Sequence, residues 1–484
     1  MAYTIAIFGA SGDLTSRKLV PALYELYRKE RLAEPTRIVG FSRTPFSHDA
    51  WRAKLVESTA HFVGGHFDRA TWDAFSPSLS YHAGDIERPE DLVGLGTFLD
   101  ELERGEAATR VYYLATAPQF YEPAVVNLGK AGMAEQSRGP RRIVVEKPFG
   151  GDLASARELN RVVHQVFSEG QVYRIDHYLG KETVQNVLVL RFANAIFEPL
   201  WNRNYVDWVE ITAAEEVAVG HRGGYYDKAG VLRDMFQNHL LQQLALTAME
   251  APARFEADFI RDEKVKVFRA IRPMRPEDVA ADTVRGQYRG YRKEPGVAAA
   301  SRTATFAVVK LLVDNWRWQG VPFCLRSGKA MSCATTQIVI QFRQPPHILF
   351  EGGPKCVREA NRLVIQIQPA EGIQLHFQTK VPDAEMQMRL TDLSFRFQEK
   401  FFGGMPDAYQ RLLLDVMHGD ASLFARADEV ELAWGIIDPI QSVWDAGDTP
   451  KLFSYESAGW GPEESTQWMW SQGRQWFDVC PVLQ

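Results

Sequence analysis

The chain has 484 residues, of which 45% are hydrophobic and 24% are charged, and its formal net charge is −6. This length exceeds what one hydrophobic core usually holds, so we expect two domains. The weak negative charge gives no electrostatic footprint for nucleic acid, and no apolar run is long enough to span a bilayer.

The N-terminal residues and the cysteines bear on the cellular compartment. The first five residues enter a strand pattern at once, so we expect no signal peptide. The four cysteines have no CxxC spacing, which leads us to expect free thiols in a reducing compartment and no zinc site. These residues are Cys324, Cys333, Cys356 and Cys480.

The first element is a strand that ends in a glycine-containing turn. Thr4 to Phe8 is apolar, and a helical pattern runs from about Ser16 to Arg31. The turn between them, 9–14, contains two glycines but has Ser11 where a GxGxxG motif would carry another. A strand, a glycine turn and a helix predict a dinucleotide-binding loop, with an ordinary βα turn as the alternative.

The second strand bears on the choice of coenzyme. It is predicted over Arg37 to Phe41 and is followed by Ser42 and Arg43. NAD-binding folds place an acidic residue here to bind the ribose 2′-hydroxyl. A guanidinium and a hydroxyl suit a 2′-phosphate instead, which favours NADP.

Two further strands are predicted over Val111 to Ala115 and from Arg142 into a charged turn at Glu146 to Gly150. Ligands of open α/β sheets bind beyond the carboxyl ends of the strands. Lys147 follows the second of these strands, so we expect it to contact coenzyme and substrate.

The segment 174–182, Arg-Ile-Asp-His-Tyr-Leu-Gly-Lys-Glu, is the densest cluster of ionisable groups in the chain. Asp176 and His177 are adjacent, with Tyr178 and Lys181 just behind. This density predicts a site that holds an anionic, hydroxyl-rich ligand and moves a proton. A salt-bridged turn is the structural alternative.

From about residue 205 the pattern changes to longer strands with period-two alternation. This pattern predicts an α+β domain with a large antiparallel sheet covered on one face. The predicted strands are Val206 to Thr212, Gln337 to Phe342, Leu363 to Ile367 and Ile373 to Phe377. Helices are predicted over Val231 to Met249 and Asp407 to Met417.

The first of these helices carries Asp234, Asn238 and His239. Asp234 and Asn238 are four residues apart and are expected to share a helical face. His239 is five residues from Asp234 and is expected beside that face. A lone histidine on an amphipathic helix is more often a satisfied core or surface group.

Together these motifs resemble the glucose-6-phosphate dehydrogenase family over almost the whole chain. The resemblance rests on 9–19, 146–150, 174–182, 191–202, 222–227, 233–239 and 327–330, in that order. It implies an α/β plus α+β fold: a Rossmann-type NADP-binding domain, 1–172, and a substrate-binding and dimerisation domain with a large, mostly antiparallel sheet, 173–484.

The resemblance also implies an activity. The family oxidises C1 of D-glucose 6-phosphate to 6-phospho-D-glucono-1,5-lactone with hydride transfer to NADP, in the oxidative pentose phosphate pathway. By position, His239 resembles the general base and Asp176 the carboxylate that orients it. We expect a cytoplasmic homodimer or homotetramer that associates through the sheet, without nucleic-acid or membrane partners.

The remaining roles carry over residue by residue. Substrate contacts are implied for Lys147, His177, Tyr178, Lys181, Glu215, Asp234 and Lys329. Coenzyme contacts are implied for Gly9, Ala10, Ser11, Gly12, Asp13, Leu14, Thr15, Ser16, Arg43, Asp85, Ile86, Tyr113 and Lys147.

Two positions depart from the family pattern. Ala334 stands where a basic residue is common, and Gln366 stands where some members have an arginine that binds a second, structural NADP. We therefore expect no structural NADP. Two alternatives stay open: a dehydrogenase of a related hexose phosphate, such as an amino or deoxy sugar, and a catalytically silent relative that binds NADP or a sugar phosphate.

Overall fold

The computed structural model describes residues 2–347, 360–383, 386–400, 406–447 and 449–481. The chain divides into two compact units. Unit 1 comprises Met1–Lys181, Ala253–Arg261 and Pro406–Glu431, and unit 2 comprises Glu182–Pro252, Asp262–Met405 and Leu432–Gln484. The domain boundary expected between 172 and 173 stays a prediction, because these units are defined by contacts and alternate along the chain.

Sixteen strands lie in the part of the chain that the structure describes. Those of unit 1 are β1 (Ala2–Phe8), β2 (Thr36–Ser42), β3 (Leu79–Ala83), β4 (Ala108–Leu114), β5 (Arg141–Val145), β6 (Val172–Ile175) and β15 (Phe424–Ala425). Those of unit 2 are β7 (Val206–Ala214), β8 (Thr283–Tyr288), β9 (Phe306–Leu312), β10 (Pro322–Gly328), β11 (Thr335–Phe342), β12 (Arg362–Gln368), β13 (Gly372–Lys380), β14 (Met388–Arg396) and β16 (Leu452–Tyr455).

The α-helices, in chain order, are α1 (Val20–Arg28), α2 (His48–Val63), α3 (Arg69–Phe75), α4 (Pro89–Glu103), α5 (Tyr121–Lys130), α6 (Leu153–His164), α7 (Glu182–Phe192), α8 (Gly223–Val231), α9 (Leu241–Ala248), α10 (Ala257–Ala270), α11 (Pro276–Asp282), α12 (Phe397–Lys400), α13 (Ala408–His418), α14 (Ala427–Ala446) and α15 (Glu463–Ser471). Two π-helices, Thr15–Leu19 and Leu232–Leu240, precede α1 and α9. None of the described helices is both long and apolar enough to cross a membrane.

Unit 1 is built on a seven-stranded sheet in the order β15-β6-β5-β4-β1-β2-β3. Its strands are parallel except for β15, which pairs antiparallel with β6. Every residue of β1 is buried, as expected for a parallel strand covered on both faces. The predicted Rossmann-type domain is thus confirmed. The helix expected to follow the glycine turn runs from Thr15 to Arg28, with Leu19, Leu23 and Leu26 fully buried.

Unit 2 is built on a nine-stranded sheet in the order β14-β13-β12-β11-β7-β10-β9-β8-β16. Two neighbouring pairs, β7 with β10 and β8 with β16, are parallel, and the other neighbours are antiparallel. The predicted large, mostly antiparallel sheet is confirmed. Each strand predicted in this part of the chain lies within an observed strand that is one or more residues longer.

The expectation of one covered face is wrong for the centre of this sheet. All but the last residue of β11 is buried, including the polar positions of its alternating pattern. Gln337 donates a hydrogen bond to the Phe477 carbonyl at 2.9 Å, and Gln341 donates one to Asn361 at 3.1 Å. Because the C-terminal segment and the residue just before β12 supply these acceptors, these polar side chains are buried with their hydrogen bonds met.

The expectation of four free cysteines is wrong for two of them. Cys333 and Cys480 form a disulfide, with their Cα atoms 6.0 Å apart and a sequence separation of 147. Cys324 is a buried free thiol on β10, and Cys356 lies outside the described residues. The absence of CxxC spacing has no bearing on a pair that the fold of unit 2 brings together from distant segments.

Candidate active site

The glycine turn of unit 1 lies at the carboxyl end of β1, beside the ends of β2 and β4. Gly9 has a φ of +81°, and a Cβ at this position would lie 2.4 Å from the Ala115 carbonyl oxygen. Only glycine combines that left-handed conformation with such a close approach of two backbone segments. The chain can therefore turn here and leave open the crevice in which dinucleotides bind.

A cavity of about 240 Å³ opens beyond these strand ends. Several of the residues expected to contact coenzyme line it: Gly9, Ser11, Gly12, Arg43, Asp85 and Ile86. The structure brings these residues together from three different βα connections. Sequence reasoning missed the segment after β4, Ala115 to Ala117, together with Thr44 and Phe120. The position of that segment, just after an apolar strand, was the signal that could have identified it.

Other residues expected at the coenzyme support the turn instead of lining the cavity. Ala10 is buried, and its carbonyl accepts a hydrogen bond from Trp51 at 3.2 Å. Asp13 is exposed and pairs with Arg17 at 3.1 Å. Thr15 and Ser16 donate hydrogen bonds back to the Gly9 and Gly12 carbonyls at 3.4 and 3.3 Å. Leu14 is partly buried in the same turn.

The end of β2 carries no carboxylate. Ser42 donates a hydrogen bond to the Ser11 hydroxyl at 3.1 Å, and Arg43 is exposed with its guanidinium over the Phe120 ring at 5.8 Å. A hydroxyl pair and an exposed guanidinium at this position suit a phosphate better than a ribose hydroxyl. The residues present therefore fit NADP.

Lys147 follows β5, next to a buried polar cluster. Tyr113 and Tyr409 donate hydrogen bonds to the Glu146 carboxylate at 2.6 and 3.2 Å. Burial raises the pKa of Glu146 above its usual range, although both hydroxyls favour the charged form. The Tyr113 hydroxyl is thus engaged with Glu146, which places Tyr113 in support of the turn that carries Lys147.

The ionisable segment 174–182 begins on β6 and continues as a tight turn. Asp176 is buried, and its carboxylate accepts a hydrogen bond from the Tyr178 backbone N–H at 3.0 Å. The Lys181 ammonium lies over the Tyr178 ring at 4.0 Å, and the His177 ring is 5.0 Å from that ring. The structure therefore gathers an imidazole, a phenol and an ammonium, which is a set suited to a phosphate dianion.

Unit 2 carries a second cluster, at the ends of two parallel strands. The register of β7 and β10 pairs Ala214 with Gly328, so the next residues, Glu215 and Lys329, emerge side by side. Lys329 forms an ion pair with Glu215 and lies 3.5 Å from the Asp234 carboxylate. Lys329 and Asp234 are buried, whereas Glu215 is about one-third exposed.

Asp234 and His239 lie on the π-helix Leu232–Leu240, which packs on β7 and β10. Both side chains are buried. Asn238, on the same π-helix, is half-buried. That Asp234 and Asn238 share a helical face stays a prediction. The Asn238 side chain accepts a hydrogen bond from the His239 backbone N–H at 2.6 Å.

Sequence reasoning missed Tyr226 on α8. Its ring is buried and lies 5.4 Å from the Lys329 ammonium. Burial raises the pKa of this phenol well above its usual range, and the Asp234 and Glu215 carboxylates add to the effect. A tyrosine in a GGYYD motif carried no sequence signal beyond that of an aromatic core residue.

The two departures from the family pattern have distinct surroundings. Ala334 is exposed, immediately before β11. Gln366 is buried on β12, where it donates a hydrogen bond to Gln337 at 2.9 Å. This neutral amide pair occupies the position at which an arginine would present a charge.

These features define a class of protein: a dehydrogenase with a Rossmann-type coenzyme unit and a second unit that carries two acids, a lysine and a buried histidine. The family model for the NAD binding domain of glucose-6-phosphate dehydrogenase matches residues 6–186. The model for the C-terminal domain of the same family matches residues 188–477.

The chain belongs to the glucose-6-phosphate dehydrogenase family. It is 44% identical over 486 residues to a glucose-6-phosphate 1-dehydrogenase of Aggregatibacter actinomycetemcomitans, covering 98% of this chain and 96% of the relative. A glucose-6-phosphate 1-dehydrogenase of Treponema pallidum is also 44% identical, covering 99% and 96%. The resemblance predicted from the sequence motifs is confirmed.

Solved structures agree over the whole chain. A glucose-6-phosphate dehydrogenase in complex with its substrate glucose-6-phosphate matches with a TM-score of 0.90 at 35% identity, covering 98% of each chain. A glucose-6-phosphate 1-dehydrogenase from Mycobacterium avium matches with a TM-score of 0.86 at 36% identity, covering 99% of each chain.

Proposed function

We propose that this protein oxidises C1 of D-glucose 6-phosphate to 6-phospho-D-glucono-1,5-lactone, with NADP as the hydride acceptor, and so opens the oxidative pentose phosphate pathway. The observation that carries the proposal is the cluster of Lys329, Glu215 and Asp234, of which Asp234 lies on the same π-helix as His239. A solved relative of 35% identity has glucose-6-phosphate as its substrate.

In this proposal His239 is the general base. It removes the proton from the C1 hydroxyl as the C1–H bond breaks, because hydride leaves most readily from a carbon with alkoxide character. A buried imidazole is shielded from competing water. By the family resemblance, Asp176 stabilises the imidazolium that forms.

The substrate is held by two sets of groups with different chemistry. His177, Tyr178 and Lys181 bind the phosphate, since together they supply an imidazole, a phenol and an ammonium as donors. Glu215 and Asp234 accept hydrogen bonds from the sugar hydroxyls, and Lys329 and Lys147 donate to sugar oxygens. Lys329 forms an ion pair with Glu215 and lies 3.5 Å from the Asp234 carboxylate, so it holds the two acceptors close together.

The coenzyme occupies the crevice beyond β1, β2 and β4. When bound there, NADP supplies the acceptor for the hydride. The glycine turn positions the pyrophosphate at the start of the following helix, and Arg43 with Ser42 and Ser11 recognises the 2′-phosphate. The neutral pair of Gln366 and Gln337 supports the absence of a second, structural NADP.

The test measures NADPH formation by its absorbance, with glucose 6-phosphate, glucosamine 6-phosphate and 2-deoxyglucose 6-phosphate as alternative substrates. We expect the highest kcat/KM with glucose 6-phosphate. The His239→Asn variant is the matched control for contaminating activity, because it alters one buried side chain to a residue of similar size. No NADPH formation above this control with any sugar phosphate would contradict the proposal and favour a silent binding protein.

A related hexose phosphate as the true substrate is the second candidate, and exposed Ala334 is the observation that favours it. The family often places a positive group at this position to bind phosphate. Its absence makes phosphate recognition weaker and gives the sugar contacts more weight. A kcat/KM higher for an amino or deoxy sugar than for glucose 6-phosphate would select this candidate.

We further propose a cytoplasmic homodimer or homotetramer that forms through the nine-stranded sheet. The edge strand β14 and its neighbour β13 leave most of their side chains partly or fully exposed, and Leu393 is 63% exposed. Apolar surface of this kind on a long sheet suits burial against a second copy. Light scattering after gel filtration gives the oligomeric state, and a Leu393→Lys variant that stays fully associated would contradict the use of this surface.

A further inference from the structure

Helix α2 carries a lysine that the motifs did not single out. The helix begins after Ser47, whose side chain accepts a hydrogen bond from the Ala50 backbone N–H at 3.1 Å. Trp51 is fully buried and donates to the Ala10 carbonyl at 3.2 Å, which fixes this face of the helix against the glycine turn. Lys54 is three residues further on and therefore points the same way.

The Lys54 ammonium contacts a residue that lines the coenzyme cavity. It donates a hydrogen bond to the Ser11 carbonyl at 3.1 Å and lies 5.5 Å from the Phe46 ring. Ser11 itself lines the cavity, and its hydroxyl accepts from Ser42 at 3.1 Å. The exposed ammonium is therefore bonded to Ser11, whose hydroxyl is paired with that of Ser42, the residue before Arg43.

We propose that Lys54 is a specificity-determining residue that binds the 2′-phosphate of NADP together with Arg43. The inference rests on the coenzyme site of the proposed function. A phosphate dianion at the end of β2 would meet the Arg43 guanidinium and the Ser11 and Ser42 hydroxyls, and Lys54 supplies a second cation on the side of the glycine turn. Two cations balance the dianion, which one guanidinium does not.

The chemistry of lysine suits this position. An ammonium on a flexible four-carbon stem has three donors, so it can exchange or share its bond to the Ser11 carbonyl when a phosphate enters. The other cation on this part of the helix is engaged elsewhere: Arg52 donates to the Leu79 carbonyl at 2.9 Å and pairs with Asp49 at 3.1 Å. Lys54 is thus the cation that α2 directs to the glycine turn.

The experiment compares steady-state kinetics with NADP and with NAD for wild type, Lys54→Gln, Lys54→Arg and Arg43→Ala. Lys130→Gln is the matched control, because Lys130 is an exposed lysine on another helix of unit 1. For Lys54→Gln we expect KM for NADP to rise about 3- to 10-fold, the range for one exposed charge contact to a phosphate, with the NADP-to-NAD ratio of kcat/KM falling equally. Lys54→Arg keeps the charge and should stay within about 2-fold of wild type.

A second measurement tests the contact between Lys54 and the 2′-phosphate separately from the rest of the coenzyme. Competitive inhibition by 2′-AMP should weaken in Lys54→Gln while inhibition by 5′-AMP stays the same, and the difference should shrink as salt is added. Equal losses with both nucleotides, or an unchanged KM for NADP, would overturn the role of Lys54. If Arg43→Ala also leaves KM for NADP unchanged, the proposed coenzyme site itself is wrong. An unfolding midpoint equal to that of wild type establishes that the variant is folded.

Discussion

The ion pair of Lys329 offers the sharpest test of how unit 2 combines stability with substrate binding. The Lys329→Met change removes the ammonium but keeps a side chain of similar length. Asp234, which is 5% exposed, then loses a cation at 3.5 Å, and Glu215, which is 31% exposed, loses its ion-pair partner. Two acids are left close together with less compensation.

The loss in the free energy of unfolding caused by Lys329→Met can be worked out from this geometry. The attraction between unit charges at the observed separation is about 5 kcal/mol at an effective dielectric constant of about 20. Part of it is offset because the variant no longer buries an ammonium, so we expect a net loss of about 2–3 kcal/mol in the free energy of unfolding. KM for glucose 6-phosphate should rise as well, because the donor to a sugar oxygen is gone.

Guanidinium unfolding and steady-state kinetics check these two effects separately. Lys310→Met is the matched control: Lys310 also forms an ion pair in the unit 2 sheet, with Asp282, but it lies outside the cluster. It should lose stability without a change in KM. In a double-mutant cycle, Asp234→Asn should recover part of the stability lost in Lys329→Met. A coupling energy below about 0.5 kcal/mol would refute the argument that Lys329 compensates a buried charge.

The remaining predictions concern coenzyme choice, the base, the phosphate and pH. Arg43→Ala should cost about 1.5–3 kcal/mol in NADP binding and little in NAD binding, measured by fluorescence titration; equal losses would make Arg43 structural. His239→Asn should lower kcat by about 10²–10⁴, with Asp176→Asn comparable or milder, and a near-normal kcat would remove His239 from the mechanism. Ala334→Lys should lower KM for glucose 6-phosphate at similar kcat, whereas an unchanged KM would mean that another group already compensates. Because burial raises the pKa of Glu146, its contribution to stability is most favourable below the usual glutamate range and declines as pH rises through the raised value. Glu146→Gln should therefore reduce the decline of the unfolding midpoint as pH rises through that value, and a profile parallel to that of wild type would contradict this assignment.

Local patterns predicted unit 1 well. An apolar run, a glycine turn and a helical repeat are short-range patterns, so β1, the turn and the helix that follows were predictable in type and nearly in extent. Ser42 and Arg43 were predicted to follow β2, and Arg43 lines the observed cavity. These inferences hold because backbone conformation and strand burial are set by residues close together in the sequence.

Contacts between segments that are distant in the sequence could not be predicted from local patterns. The parallel pairing of β7 with β10 places Glu215 beside Lys329, although neither position predicts the other. The segment that carries Asp234 and His239 is a π-helix, which the sequence pattern did not distinguish from an α-helix. Each depends on how the sheet and its neighbouring helix pack.

The sequence by itself thus determined the family, the order of the elements and the residue types available for chemistry, since these are written in local motifs. The tertiary structure alone decided that Cys333 and Cys480 pair across 147 residues, that the polar face of β11 is buried, and that Lys54 of α2 reaches the glycine turn. The physical reason is the same in each case: the partner that satisfies a thiol, an amide or an ammonium comes from a segment that only the folded chain brings near.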